Sequence, residues 1–411
     1  MAKIYPLIYA SANDAIALEQ RFYIKEEVTR GTMVFPLNTD FLFHLPGGSI
    51  GFEQPFESSP QRSGRHHSNI IKKKKVSSFT LSTYFNIDEA AISGLLAIDT
   101  PVKLLWKSLL GVEDATGPDL VYNAGTAPNA TFTMYECGDK WARQTPGGFI
   151  MGGNVQLPGD GEATTEWSGN GKTTYLAGIA KSVTANAANI ITVAAGEGFR
   201  YTVGAAVMII KYIAGVQTLS ADTPAATPRR VTAVTSTTVT VDGAVLADAS
   251  GVVDPVYLVY HEPLAPVAIN NPVTGLVGDV TIVGLANQCV RSLGLNFQNN
   301  HELVDYCFGE DGLGGTLFVP GDRLTVEVTM SMNLNHEVLA FFIGLLDFPT
   351  KNIVGVLGNV AGRNVTFTVP SARFMIPAFS VPDTGSIPVE FSGTAYETAF
   401  GLADEVEVRY N

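Results

Sequence analysis

The chain has 411 residues, of which 46% are hydrophobic and 16% charged, and it carries a formal net charge of −13. Such a length suggests about two or three domains, and a charge content below the roughly 25% of ordinary soluble domains is accommodated naturally by burial against other copies of the chain. The acidic balance argues against ordinary nucleic-acid binding, which needs a Lys/Arg footprint on the phosphates, but it permits a surface that repels DNA and lets it pass.

Taken from the N-terminus, the opening Met-Ala-Lys-Ile-Tyr-Pro lacks the apolar run of a secretory signal. No later stretch reaches the roughly 18 uninterrupted apolar residues of a membrane span. A soluble, intracellularly made product is expected. The dense basic run from Gln61 to Lys75, with Arg62, Arg65, Lys72, Lys73, Lys74 and Lys75, has no interleaved aromatic for base stacking. It reads as a long hairpin loop, and its His66 and His67 lack a third metal ligand at a convincing spacing. Ser77–Ile87 alternates as a strand, and Val102–Leu110 spaces its apolar residues three and four apart as a helix. Cys137, Cys289 and Cys307 are an odd number with no close-spaced pair, which argues against a disulfide framework or a structural zinc site.

Gly169-Asn-Gly-Lys-Thr-Thr174 resembles the end of a phosphate loop, but Glu166 stands where the first glycine is required and no helix follows, so it reads as a turn. Residues 177–262 are rich in Ala, Thr and Val; Tyr201–Lys211 and Arg230–Val241 read as strands of an inserted small β-barrel-like module. Strand signals return at Asp279–Leu285, Leu324–Leu334 and Val365–Val369, with a second helix at Glu337–Leu346. No Ser, Cys, His and acid arrangement forms a catalytic frame, so no enzyme, cofactor or metal site is expected.

The chain also repeats itself. Ser78–Ile87 aligns with Thr325–Leu334, Leu104–Leu110 with Ala340–Leu346, Asn129–Met134 with Asn364–Val369, and Pro158–Gly169 with Pro382–Gly393. Four matches in the same order imply two copies of one β domain, over 1–176 and 263–411, around the module at 177–262. Strand alternation sorts the side chains. Ser78, Thr80, Ser82, Glu327, Thr329 and Ser331 share a polar face, to which Glu162, Glu166 and Glu390 are added. Phe79, Leu81, Phe85, Val326, Val328, Met330 and Met332 face the core.

Ser58–Arg65, the strand Ser78–Ile87, the helix Leu104–Gly111 with Trp106, Asp139-Lys-Trp141 and Glu166-Trp-Ser-Gly-Asn-Gly171 together resemble the major tail tube protein of T-five-like siphophages. The resemblance covers roughly 40–176 and 265–411; the sequence departs from it by the module at 177–262, and no counterpart of the type member's immunoglobulin-like tail domain is expected within it. It implies two tube-type β-sandwich domains per chain, and trimeric, pseudo-hexameric rings stacked into a virion tail tube assembled in the bacterial cytoplasm. The implied partners are further copies of the chain, tape measure protein and DNA inside, and tail terminator and tail-tip proteins at the ends. On this reading the polar face lines an acidic lumen. Arg62, Arg65 and Lys72–Lys75 would contact Glu310 and Asp311 of an adjacent subunit, since the matching loop Glu302–Asp322 is acidic. Two alternatives are a head–tail connector or baseplate ring, and an all-β carbohydrate-binding or -processing protein, against which the dispersed Trp106, Trp141 and Trp167 speak.

Overall fold

The computed structural model describes residues 20–53, 56–58, 70–72, 75–85, 98–125, 130–187, 189–213, 216–220, 227–245, 256–263, 278–283, 285, 290–304, 317–320, 323–347, 349–358, 364–377, 381–382 and 384–411. The fold is mainly β with two short helices. The first third holds β1 (Arg21–Glu26), β2 (Phe41–Leu42), β3 (Ser49–Glu53), β4 (Phe56–Ser58), β5 (Ile70–Lys72) and β6 (Val76–Tyr84), then α1 (Thr100–Leu110). After it come β7 (Gly111–Asp114), β8 (Leu120–Ala124), β9 (Phe132–Cys137), β10 (Ala142–Pro158), β11 (Thr164–Gly171) and β12 (Tyr175–Ala177). The middle holds β13 (Ile179–Ala187), β14 (Ile190–Val193), β15 (Ala206–Ile213), β16 (Val216–Leu219), β17 (Arg229–Val234), β18 (Thr238–Val241) and β19 (Val256–Tyr260). The last third begins with β20 (Gly278–Ile282), β21 (Val290–Gln298), β22 (His301–Val304), β23 (Leu317–Pro320) and β24 (Thr325–Asn333). It ends with α2 (His336–Gly344), β25 (Lys351–Leu357), β26 (Val365–Phe374), β27 (Pro388–Ala395) and β28 (Glu407–Tyr410).

Local chemistry sets the helix ends. Pro101 stands in the first turn of α1, where its missing N–H costs nothing, and Gly111 stops the helix at φ 94°. The Asn335 side chain caps α2 by accepting the Val338 N–H at 2.8 Å.

The pairing pattern repeats in the two outer thirds. β9 lies between β1 and β10, as β25 lies between β20 and β26. β10 also pairs with β11 and β12, as β26 does with β27 and β28. β6 lies between β3 and β11, as β24 lies between β21 and β27. One sequence match needs correction: β9 corresponds to β25, whereas Asn364–Val369 leads into β26, the counterpart of β10. An alternating Thr-Phe-Thr segment suits either strand, so the local pattern cannot choose between neighbours.

Both β10 and β26 change sheets midway. The β10 ladder slips between Thr145 and Gly148, with Pro146 between them and Gly147 at φ 66°. The β26 ladder slips between Val369 and Ala372, on either side of Pro370. The Gly147 N–H is held at 2.7 Å by buried Glu27, which also accepts from Gly31 N–H and the hydroxyls of Thr131 and Thr133. Each sheet-switching strand therefore puts its first half in an outer sheet and its second half in an inner one, with the main core and α1 between them.

In the middle segment β15-β17-β18-β14-β13-β19 closes back on β15 as a six-stranded barrel, with β16 added along β15. Two expectations are corrected here. Tyr201–Ala205 is a turn before β15, and Arg230–Val241 is a hairpin, broken where Thr235 N–H and Thr238 O bond at 2.9 Å. The barrel is not self-contained. It covers the outer side of the first copy's outer sheet, packing Tyr23, Tyr135, Cys137 and Ala142 into a core shared with Ile191, Tyr201, Val207 and Leu258.

Candidate functional site: a polar sheet face shared by both copies

Eight strands in the order β3-β6-β11-β10-β21-β24-β27-β26 form one inner sheet that passes from the first copy to the second at β10–β21. Because side chains alternate between faces, the register aligns them in rows across that boundary. One row runs Ser82, Glu166, Asn154, Asn296, Glu327, Thr394; the next runs Ser49, Thr80, Ser168, Gly152, Gln298, Thr325. A third runs Thr164, Gln156, Gly294, Thr329, Ser392, and Glu390 lies opposite Ser331. Asn296 donates to Glu327 at 3.1 Å, and Gln156 to Asn154 at 2.8 Å.

The reverse side is dry. Phe79, Leu81, Val155, Trp167, Leu295, Phe297, Val328, Met330 and Phe391 are each at most 2% exposed. The polar side faces water: Ser78, Thr80, Glu166, Glu327, Thr329 and Glu390 are exposed, Ser82 and Ser331 half-buried. Around the copy boundary this side is concave, enclosing about 580 Å³ between Thr80, Ser82, Asn154, Glu166, Asn296 and Gln298. These rows hold a single cation among the described residues: the first row continues onto β26 with the exposed Arg373, opposite Thr394 and 5.4 Å from the Tyr396 ring. Small neutral groups with sparse carboxylates give phosphates little counter-charge, and the carboxylates repel them within a Debye length of about 8 Å.

The expected face residues thus fall together, with one exception. Glu162 lies in the turn between β10 and β11, beside Tyr84, whose phenol is raised by partial desolvation and then by the charge of Glu162. The β10 and β21 contributions, Asn154, Gln156, Asn296 and Gln298, were missed. Gly-Gly-Asn-Val-Gln-Leu-Pro and Ser-Leu-Gly-Leu-Asn-Phe-Gln do alternate, and that signal could have found them.

Two separate ribbons arise at equivalent places in the chain. β4–β5 lies between β3 and β6 in sequence, and β22–β23 between β21 and β24. Neither ribbon is paired to the inner sheet in the described residues. Lys72 ends β5, and Lys75 sits 5.9 Å from the Phe52 ring. Arg62, Arg65, His66, His67, Lys73, Lys74, Glu310 and Asp311 lie outside the described residues.

Other candidates resolve into structure. Trp106 and Trp167 are not dispersed: their centroids are 4.9 Å apart, in the core, so they offer no sugar platform. Gly169 ends no phosphate loop; a Cβ there would meet the Phe149 carbonyl oxygen at 2.1 Å. Cys137 is fully buried, which pushes its thiol up and out of reactive range. Among the described residues no group of His, Cys, Asp and Glu could hold a metal, and no helix is long and apolar enough to cross a membrane. The sequence matches no protein-family model and no curated protein.

The free edges complete the geometry. No pairing links β3 to β26 or β27 among the described residues. At the internal boundary, Gly152–Pro158 at the end of β10 pairs with Ser292–Gln298 of β21. Their counterparts are the end of β26 and β3. There Met375 and Ile376 are 64% and 43% exposed.

Proposed function

We propose that the chain is a structural, non-enzymatic subunit of a long-tailed phage's tail tube, and that its copies join head to tail into trimeric rings stacked around DNA and tape measure protein. The observation that carries this reading is the inner sheet, whose water-facing rows cross the copy boundary unbroken and whose two outer edges are counterparts of the strands paired at that boundary. Exposed edges with apolar residues are surfaces that invite further pairing. Repeating the internal step from copy to copy would place the β26 end of one chain beside β3 of the next. Six such steps, two per chain, close the ring. The bore would then be lined by Glu166, Glu327 and Glu390 among Ser, Thr and Asn, with Arg373 of each chain as a single basic group beside the joint between chains.

Negative-stain microscopy and native mass spectrometry of the purified chain test this. Trimeric rings with sixfold outlines, stacked into tubes, are expected; a dispersed monomer at tens of micromolar overturns the reading, and unstacked rings would favour a connector or baseplate ring. The separate ribbons are the parts suited to ring-to-ring contact. Charge pairs there are worth only about 0–1 kcal/mol each but recur around every ring. Changing Lys72–Lys75 to Glu is therefore expected to leave rings intact and to shorten tubes severalfold; tubes of unchanged length would remove the ribbons from the stacking contact.

A further inference from the structure

The two helices occupy equivalent places, yet their surroundings differ. α1 is enclosed: Leu104, Leu105, Trp106, Leu109 and Leu110 are at most 5% exposed. Its cover comes from the β7–β8 hairpin that follows it, and β8 in turn pairs along the outer edge of β28 in the second copy. Trp106 Nε1 donates to Tyr410 of that strand at 2.8 Å. α2 has no such hairpin, because the chain runs from its last turn into β25 within a few residues. Leu339, Ile343 and Leu346, spaced four and three apart on one stripe, are left 41%, 56% and 55% exposed.

The counterpart of β28 in the first copy is β12. Its outer edge is taken by a segment of the inserted barrel. Leu176 N–H donates to Thr202 Oγ1 at 2.8 Å, and Thr202 N–H donates to Leu176 O at 2.9 Å. So the Phe199–Val203 segment occupies at β12 the position that β8 occupies at β28. It carries its own apolar surface: Phe199 is 69%, Val203 52% and Leu176 40% exposed.

We infer that the inserted barrel is an interlock between adjacent copies of this chain, in which the α2 stripe Leu339, Ile343 and Leu346 docks on Leu176, Phe199 and Val203 of the next copy. This rests on the head-to-tail ring proposed above, since the argument repeats the internal copy-to-copy step once more. In that step α1 contacts β8; in the next, α2 meets the segment standing in β8's place. Each surface is apolar and uncovered in the isolated chain, and each is the counterpart of one buried inside it. The insertion thereby replaces, at the boundary between chains, the hairpin that seals the boundary within a chain.

The full chain carrying Ile343→Cys together with Phe199→Cys tests the pairing, with each single variant as control. Under mild oxidation of assembled rings, the double variant is expected to give covalent dimers and closed trimers on denaturing gels, and the single variants none. Rings that form but yield no more cross-linking than the controls overturn the interlock while leaving the ring reading standing. Absence of any ring from the wild-type chain overturns both. As a second measurement, Ile343→Glu and Phe199→Glu alter exposed positions and should leave thermal unfolding of the monomer unchanged. Each is expected to raise the concentration needed for ring formation at least tenfold, and combining Ile343→Glu with Phe199→Lys should recover part of that loss. Unchanged assembly in both single charge variants would place the contact elsewhere.

Discussion

Replacing Trp106 with alanine is expected to lower stability by about 3–5 kcal/mol, the range for deleting a large buried aromatic. Trp106 is fully buried at the point where the two copies meet. From the first copy it packs against Trp167 at 4.9 Å and, more tilted, against Phe85 and Tyr122 at 6.5 Å. From the second copy Phe297 and Phe367 approach to 6.0 and 6.3 Å. Its indole N–H satisfies the buried Tyr410 hydroxyl. Truncation would open a cavity bordered by both copies and strand that hydroxyl, a further cost of about 1–3 kcal/mol where it cannot find water. Trp106→Phe should retain most of the packing and lose roughly the hydrogen-bond share alone. Urea unfolding followed by tryptophan fluorescence and by hydrogen exchange in β6 and β24 measures this. Loss of protection in both strands together is expected. A penalty below about 1 kcal/mol, or loss confined to β6, would show that the indole does not couple the copies.

Much of this architecture was legible because it rests on local periodicity. The alternation of Ser78–Thr83 and of Thr325–Met332 assigns core and water faces without knowledge of any partner strand, and β6 and β24 follow it residue by residue. Helix α1 was equally plain from Leu104, Leu105, Leu109 and Leu110. What stayed hidden depends on contacts distant in the chain. Whether Asn129–Met134 corresponds to β25 or to β26 is decided by strand partners, and alternation is blind to partners. The slip at Pro146-Gly147-Gly148 makes one 17-residue strand serve two sheets, so its Asn154 and Gln156 belong to the polar face although Gln144 does not. Pro146 and Pro370 were the available clue. Trp106 and Trp167 looked dispersed because sequence distance says nothing about a core assembled from both ends of a domain. The docking of the barrel onto the first copy was hidden for a related reason. Its strands pair among themselves, while the side chains that dock it come from Tyr23, Tyr135 and Gln144, far from it in sequence.

That docking carries the second large expected effect. Arg21 on β1 reaches Glu262, just past the last barrel strand, with Nε at 2.5 Å from Oε1 and Nη2 at 3.1 Å from Oε2. Nη2 also donates to Gly138 O at 2.9 Å, and the Tyr23 hydroxyl donates to Glu262 Oε1 at 3.0 Å. Glu262 is 1% exposed and Arg21 8%. Burial opposes the guanidinium's charge, but the hydrogen bond and charge of Glu262 outweigh it and hold Arg21 above its ordinary value. Beside them Tyr260 donates to Gly138 O at 2.6 Å, and Gln144 exchanges bonds of 2.9 and 2.7 Å with Ala206. Glu262→Ala removes the counter-charge and leaves Arg21 and Tyr23 without it, for an expected loss of about 3–5 kcal/mol. The loss should concentrate where the barrel meets the outer sheet, so limited proteolysis should release a barrel-containing fragment earlier than in the parent chain. Substituting both partners, Arg21→Met with Glu262→Leu, removes the uncompensated charge, and a buried pair exchanged for well-packed apolar groups is often neutral. The double variant is therefore expected to recover most of the lost stability. If instead Glu262→Ala unfolds at the parental urea midpoint, the ion pair does not fasten the barrel. If the double variant is no better than the single one, hydrogen bonding to Gly138 and Tyr23, rather than the unpaired charge, sets the cost.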